Sequence, residues 1–330
     1  MNIVIVGSSK FDSLEFHMAD SLSYLGHKTD ILDYFQVIPI SNKLGYWVNY
    51  FSDAYAQYIS KILIRKIIDY KPDLIIVTYR DVHPSFVSKV KLYLKNVPVI
   101  HYNPDQLTTL KNQQIFASDY DVFFSKDEYM VTFMRNKMAL NAFYLSECFN
   151  QRYCQSDFGN KQIAEDNIQI EVLAYGNFYP YRTKMLDILV KNKLNITLCG
   201  VRGPYFSNIL EEKILPPIYG KEKANYIFGS KIVFNNFHYA EVNAVNEKYF
   251  VINGSGGFQI CDYTNTLEDF SPVDSREYSF KNIHEAVDML KFYLSNPSIR
   301  LEIAEKQHVH FLNNHTYDIR MTEMLNILFK

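Results

Sequence analysis

Residues 231–262 constrain the fold most, because they are typical of a strand, a polar loop, a helix, a glycine turn and a second strand in succession. Residues 232–234 form a short apolar run of strand type, and Phe258, Ile260 and Cys261 begin another strand. A strand, a helix and a strand in this order predict a parallel β-α-β unit.

The helix of this unit is predicted over residues 244–252, with Asn243 as its N-cap and the glycine-rich residues 254–257 ending it. Such a helix points its N-terminus at the carboxyl edge of the sheet, where its unpaired N–H groups and positive dipole end attract an anion. The pattern therefore indicates a ligand site. It is equally compatible with a β-α-β unit in which the glycines only cap the helix.

The same unit recurs along the chain. Strand-type segments followed by loops and helical patterns are residues 2–6, 29–32, 74–77, 97–100, 168–174 and 196–199. This alternation predicts an α/β chain with parallel sheets, and 330 residues suffice for two domains that each bury a core. The polar residues 150–166 are interpreted as the linker between the domains.

Composition excludes several classes of partner. The chain has 34 basic and 36 acidic residues, so it has no electrostatic footprint for nucleic acid. Its apolar runs are far shorter than the roughly 20 residues that span a bilayer, and it enters a strand at once, so we expect a cytoplasmic protein with no transmembrane segment. The four cysteines form no C-x-x-C pair and are expected to be buried thiols.

The second half resembles the CgeB-like glycosyltransferases, a spore-coat and surface-glycan family of the GT-B type. The likeness covers roughly residues 168–322. Its motifs are Tyr175-Gly176-Asn177-Phe178-Tyr179-Pro180-Tyr181-Arg182, Lys231-Ile232-Val233 with Asn235, Gly256-Gly257-Phe258-Gln259 with Asp262, and His315-Thr316-Tyr317 with Arg320. The first half is similar to the acceptor domains of that family, chiefly through its β-α start and residues 101–105.

The resemblance implies two Rossmann-like domains facing a central cleft. We expect an acceptor domain at residues 1–160, a nucleotide-sugar domain at 161–312 and a C-terminal helix at 313–330 that returns to the first domain. The implied activity is transfer of a sugar from a nucleotide-sugar donor to a glycan, protein or small-molecule acceptor. The sequence leaves the donor base, the acceptor and the oligomeric state open.

Candidate donor-binding residues lie where predicted strands end. Arg182 and Arg202 suit phosphate groups, although a surface arginine in a helix would fit the pattern of Arg182 equally well. The full predicted set is Gly176, Asn177, Arg182, Gly200, Arg202, Tyr219, Asn235, His238, Glu241, Val245, Asn246, Gly256 and Gly257.

Two residues of the first half are candidates for the general base that an inverting enzyme needs. Asp105 follows a predicted strand, and His17 lies in the first predicted helix. The simpler interpretations are that Asp105 caps the helix after it and that His17 lies on a helix surface.

The chain departs from the family in one helix. Where family members have Arg-x-Phe-Glu, this chain has Lys248-Tyr249-Phe250-Val251. The family glutamate is thought to hold the donor ribose. Its absence implies either that another carboxylate, Glu247 or Glu241, holds the nucleotide, or that the chain has lost activity.

No metal and no cofactor are expected, with the nucleotide sugar acting as substrate. Asp119-Tyr120-Asp121 matches the D-x-D metal motif of one glycosyltransferase class, but a strand entry is the simpler interpretation. A catalytically inactive binding protein of the same fold is the main alternative. A nucleotide-dependent oxidoreductase or epimerase is disfavoured, because Gly7 is followed by Ser-Ser-Lys and not by G-x-G-x-x-G.

Overall fold

The computed structural model describes residues 1–34, 36–38, 42–105 and 113–330. The chain divides into two compact units. Residues 1–146 and 320–330 make up the first unit, and residues 147–319 make up the second.

In the described part of the first unit, six parallel strands form one sheet in the order β2-β1-β3-β4-β5-β6. Its strands are β1 (Asn2–Val6), β2 (Lys28–Leu32), β3 (Leu74–Val77), β4 (Val99–Asn103), β5 (Val122–Ser125) and β6 (Ala142–Tyr144). The helices that precede the second unit are α1 (Leu14–Tyr24), α2 (Asn42–Phe51), α3 (Asp53–Tyr70), α4 (Ser85–Tyr93) and α5 (Glu128–Met138).

The second unit has a sheet of six parallel strands among its residues, in the order β12-β11-β10-β7-β8-β9. These strands are β7 (Ile170–Phe178), β8 (Ile196–Arg202), β9 (Ile214–Leu215), β10 (Ser230–Asn235), β11 (Gln259–Asp262) and β12 (Ser279–Phe280). The remaining helices are α6 (Lys161–Ile168), α7 (Pro180–Lys191), α8 (Gly220–Gly229), α9 (Glu247–Gly254), α10 (Ile283–Ser295), α11 (Pro297–Asn314) and α12 (Tyr317–Leu328).

The central strands are apolar because helices cover both faces of each sheet. All four residues of β3 are buried, as are residues 3–6 of β1. A parallel sheet buried on both faces requires continuous apolar strands, and this requirement accounts for the strand patterns of the sequence.

The structure moves several predicted element boundaries. α9 begins at Glu247, and its N-cap is Asn246, whose Oδ1 accepts a hydrogen bond from the Tyr249 N–H at 3.0 Å; the predicted cap, Asn243, lies in the preceding loop. β7 continues to Phe178 because it pairs with β8 as far as the Phe178 and Arg202 register. The predicted linker at residues 150–166 contains the start of α6.

Among the described helices, none is long and apolar enough to cross a membrane.

Candidate functional site

A cavity of about 500 Å³ opens at the carboxyl edge of the second unit's sheet. Its walls come from the ends of β7, β8 and β10 and from the loops that follow them. β7 and β10 are neighbours at the point where the strand order reverses, since β8 and β9 continue to one side and β11 and β12 to the other. Ligands of open α/β sheets bind at such a switch point.

Two glycines bring the backbones of β7 and β8 close together beneath this cavity. Gly176 has φ of +106°, which an L side chain rarely adopts, and a Cβ on Gly200 would lie 1.9 Å from the Gly176 carbonyl oxygen. The two residues are register partners in the parallel pair. A side chain at position 200 would therefore force the strands apart and narrow the cavity.

Arg182 lines the cavity from the first turn of α7 and is 5% exposed. Its Nε donates to Asn236 Oδ1 at 2.9 Å, and its Nη1 donates to the Tyr175 carbonyl at 2.7 Å. Burial lowers the pKa of Arg182 to about 10, so its guanidinium stays charged at neutral pH. The side chain is a fixed cation in the wall of the cavity and not a mobile surface arginine.

The N-terminus of α9 is held in place by an amide network below the cavity. Asn235 Nδ2 donates to Asn246 Oδ1 at 3.2 Å, and Asn246 Nδ2 donates to Asn235 Oδ1 at 3.1 Å. Gln259 accepts from Asn235 at 3.0 Å and donates to the Tyr249 carbonyl at 3.0 Å. These bonds fix the first turn of α9, whose positive dipole end adds to the charge of the cavity wall.

Lys248 brings a second cation to the cavity from that first turn. Its Nζ lies 5.8 Å from the centre of the Tyr175 ring, and a Cβ on Gly176 would lie 3.2 Å from it. Arg182 and Lys248 thus converge above Gly176, in a cavity that both side chains line. An anion at this point would meet two positive side chains and a helix N-terminus.

The loop between β10 and α9 supplies the opposite wall. Glu241 Oε2 accepts from the His238 N–H at 3.0 Å, and the Glu241 N–H donates to the His238 carbonyl at 2.8 Å. Asp262, at the end of β11, accepts from the Phe237 N–H at 2.6 Å and anchors the loop to the sheet. Burial raises the pKa of Asp262 from 3.8 to about 6.

This shift predicts a pH-dependent gain in stability for Asp262→Asn. Because the folded-state pKa is raised, Asp262 stabilises the protein below about pH 3.8, and that contribution is lost as the pH rises through about 6. At pH 7 the amide avoids a buried charge and still accepts from Phe237. We expect the variant's gain in unfolding free energy to be about 1 to 3 kcal/mol larger at pH 7 than at pH 4.

Urea unfolding at both pH values measures this difference. The matched control is Asp288→Asn, at an exposed position of α10, which should show no such dependence. A stability change for Asp262→Asn that is the same at both pH values would contradict the prediction.

The structure brings eight predicted residues into the cavity lining. They are Gly176, Asn177, Arg182, Gly200, Tyr219, His238, Glu241 and Asn246. Chain order alone did not require this convergence, because the residues come from the ends of β7 and β8, from α7 and from the segments after β9 and β10.

Five predicted donor-binding residues lie outside that lining. Asn235 and Val245 are buried beside it, and Asn235 acts through its bonds to Asn246 and Gln259. Arg202 is exposed at the end of β8 and pairs with Glu211 at 2.7 Å. Gly256 and Gly257 follow the C-terminus of α9, at the amino end of β11, and pack against Phe228 and Ile227.

Among the lining residues outside the predicted set, Lys248 and Asn236 matter most, because they are a second cation and a partner of Arg182. Lys248 stands where the family pattern has its arginine, so the resemblance held the signal for a cation at this position. Asn236 belongs to the polar loop that the sequence marks as part of a ligand site, but its hydrogen bond with Arg182, 54 positions away, is set by the tertiary structure.

The candidate bases of the first unit have different surroundings. His17 is 4% exposed, and its Nε2 lies 2.9 Å from Asp12 Oδ1, so the predicted surface position is wrong. Asp105 is partly exposed and accepts a hydrogen bond from Arg80 Nη1. The helix that Asp105 was predicted to cap would begin within residues 106–112, which lie outside the described residues, so the capping role stays a prediction.

The polar cluster at residues 101–105 is only partly a loop. His101 and Asn103 are buried within β4, and burial lowers the pKa of His101 to about 3. His101 is therefore neutral at physiological pH. Across the described part of the chain, no group of three His, Cys, Asp or Glu side chains is arranged to hold a metal ion.

Two sheets of parallel strands with flanking helices, in the orders given above, form the α/β architecture of GT-B glycosyltransferase structures. Residues 182–326 match the sequence model of a family described as glycosyl transferase-like. The matched residues include Arg182, Lys248 and the cavity-lining residues between them. No protein of curated function matches the chain in sequence.

Solved structures show the same fold at low identity. Sucrose-phosphate synthase from Thermosynechococcus elongatus has a TM-score of 0.71 and 10% identity, over 99% of this chain and 98% of that one. Anabaena Alr3699/HepE in complex with UDP-glucose has a TM-score of 0.69 and 8% identity, over 99% and 100%. The lipopolysaccharide outer core galactosyltransferase WaaB has a TM-score of 0.58 and 12% identity, over 100% and 99%.

Proposed function

We propose that the chain is a CgeB-like glycosyltransferase that moves a sugar from a nucleotide-sugar donor to a glycan, protein or small-molecule acceptor. The observation that carries this proposal is the convergence of Arg182 and Lys248 over Gly176, in a cavity at the switch point of a Rossmann-type sheet. The glycosyl transferase-like match over residues 182–326 supports it.

Transfer of a sugar from a nucleotide-sugar donor requires the donor site to stabilise a diphosphate leaving group and an oxocarbenium-like transition state. Preorganised cations and N–H groups do so in a site with little water. Arg182 is fixed by bonds to Asn236 and Tyr175, so it needs no reorganisation when charge develops on the phosphate oxygens. Lys248 and the N-terminus of α9 complete a clamp that we propose works without a divalent metal.

Glu241 is the candidate for holding the donor ribose. Val251 occupies the position of the family glutamate and is buried, whereas Glu241 lines the cavity. Glu247 lies in the first turn of α9 outside the lining. A carboxylate from the β10–α9 loop would replace the family's carboxylate from within the helix.

We propose that the first unit supplies the base for the acceptor hydroxyl. His17 is the first candidate, because the Asp12 carboxylate lies 2.9 Å from its Nε2 and orients the ring. Asp105 is the second candidate, and its carboxylate accepts a hydrogen bond from Arg80 Nη1.

Lys248→Ala is expected to weaken nucleotide diphosphate binding about tenfold or more, since a charge-assisted phosphate contact contributes about 1.5 to 3 kcal/mol. UDP, GDP, ADP and TDP are the probes, measured by calorimetry, with UDP first because one similar fold was solved with UDP-glucose. Arg182→Ala should also weaken binding, but it removes structural bonds as well, so Lys248→Ala is the cleaner variant.

The matched control is Lys191→Ala, which removes an exposed lysine from the last turn of α7. It should leave the affinity unchanged, and EDTA should leave the wild-type affinity unchanged. Equal affinities of Lys248→Ala and wild type would reject the clamp. Loss of binding in EDTA would reject metal independence.

A catalytically inactive nucleotide- or sugar-binding relative is the second candidate function. The buried Val251 in place of the family glutamate favours it. Slow hydrolysis of a nucleotide sugar by the pure protein separates the two, because the inactive relative would bind the nucleotide without releasing sugar.

The cytoplasm is the proposed location. All four cysteines are buried thiols, which fits a reducing compartment.

A further inference from the structure

A groove of about 770 Å³ lies between α3 and α4 of the first unit. Ala54, Tyr58, Lys61 and Arg65 share one face of α3 at helical spacing, and α4 faces them with Lys89, Leu92 and Tyr93. The residues lining the groove include no Asp or Glu. All of these residues belong to the first unit.

The rim of the groove exposes large apolar and aromatic side chains. Tyr58 is 56% exposed, Leu92 is 70% exposed and Tyr93 is 68% exposed. The helix that immediately precedes α3 adds Trp47 and Phe51, which stack with ring centres 6.0 Å apart and are 47% and 76% exposed. Exposed side chains of this size close together in sequence and space mark a surface that meets an apolar phase.

The same surface is positively charged. Lys61, Arg65 and Lys89 form no ion pair with any described residue. Residues 53–95 contain eight Lys or Arg and four Asp, whereas the whole chain has a net charge of −2. The excess of positive charge is therefore local to the segment that builds α3 and α4.

We propose that the α3–α4 groove docks on the surface of an anionic lipid bilayer. Tyrosine and tryptophan prefer the headgroup level of a membrane, and unpaired Lys and Arg gain about 1 kcal/mol each near anionic lipids. A soluble polyanion would use the three cations but not the exposed Leu92 and Tyr93. The combination of both features favours a lipid surface, bound from outside and not spanned.

Sedimentation of the full chain with vesicles tests this proposal. Wild type should bind vesicles that contain phosphatidylglycerol and not vesicles of phosphatidylcholine alone, and added salt should weaken binding. The triple variant Lys61→Glu/Arg65→Glu/Lys89→Glu should partition at least ~100-fold less, since each lost cation costs roughly fivefold. The control Lys184→Glu/Lys191→Glu/Lys291→Glu makes the same charge change at exposed positions of the second unit and should bind like wild type.

The variant Leu92→Ser/Tyr93→Ser tests the contribution of the exposed apolar side chains to vesicle binding, and circular dichroism verifies that it folds. It should reduce vesicle binding although all cations remain. Unchanged vesicle binding of this variant would show that the cations act without the apolar side chains, and it would overturn the proposal of a surface built for a lipid bilayer. Equal binding of wild type to both kinds of vesicle, or to neither, would also overturn it.

Discussion

Arg300→Met is expected to lower the free energy of unfolding by about 3 to 5 kcal/mol, because it breaks a buried ion pair. Arg300 is 1% exposed, and its Nη1 and Nη2 lie 2.5 and 2.9 Å from the two Glu165 carboxylate oxygens. Nη1 also donates to the Lys231 carbonyl at 2.7 Å. One side chain of α11 thus joins α6 and β10 within the second unit.

The loss of stability arises because the Glu165 carboxylate stays buried without its main partner. Without Arg300, Glu165 stays buried with Lys161 as its remaining cation, at 3.4 Å. The single ammonium of Lys161 is a poor substitute, because Arg300 donates two hydrogen bonds to the two carboxylate oxygens. Methionine fills a similar volume, so the loss reports the ion pair and not a cavity.

Urea unfolding measures the effect, with Lys306→Met as the matched control. Lys306 pairs with Glu302 on the exposed face of the same helix, so its variant should keep the wild-type midpoint. A loss below about 1 kcal/mol for Arg300→Met would show that the pair contributes no more than a surface contact.

His17→Gln is expected to lower sugar transfer by about 100-fold or more, the usual contribution of a general base. Glutamine keeps polarity at the buried site but cannot take a proton. The affinity for the nucleotide diphosphate should stay at the wild-type value, since the donor cavity is built entirely by the second unit. This expectation rests on the proposed function and is measured as turnover with donor at saturation.

Asp105→Asn is the matched variant. We expect a smaller loss of turnover, because Asp105 is already engaged by Arg80. A loss of 100-fold or more for Asp105→Asn, with His17→Gln near wild type, would transfer the role of base to Asp105. Loss of nucleotide affinity in either variant would show a structural role for that residue.

The strands and helices follow from the sequence because their determinants are local. β1 and β3 were predicted at the bounds that the structure has, since a buried parallel strand must be apolar throughout. Gly176 and Gly200 were predicted just beyond strands ending at residues 174 and 199, whereas β7 and β8 run through both glycines. The family resemblance implied the two-sheet fold that the structure confirms.

Contacts between distant residues required the tertiary structure. The N-cap of α9 is Asn246 and not the predicted Asn243, because Asn246 bonds to Asn235, which Gln259 holds in turn, and no local pattern shows these contacts. Arg202 fits the pattern of a phosphate ligand, yet Glu211 holds it outside the cavity.

The pairing of ionisable side chains and the shifts of their pKa values also depend on the tertiary structure. The sequence contains Asp12, His17, Glu165 and Arg300 but does not pair them, and it does not show that burial raises the pKa of Asp262. Periodicity and composition determine which residues enter strands and helices, because those choices depend on neighbours in the chain. Strand order determines which loop ends meet, and burial then sets their charges, so the site belongs to the tertiary structure.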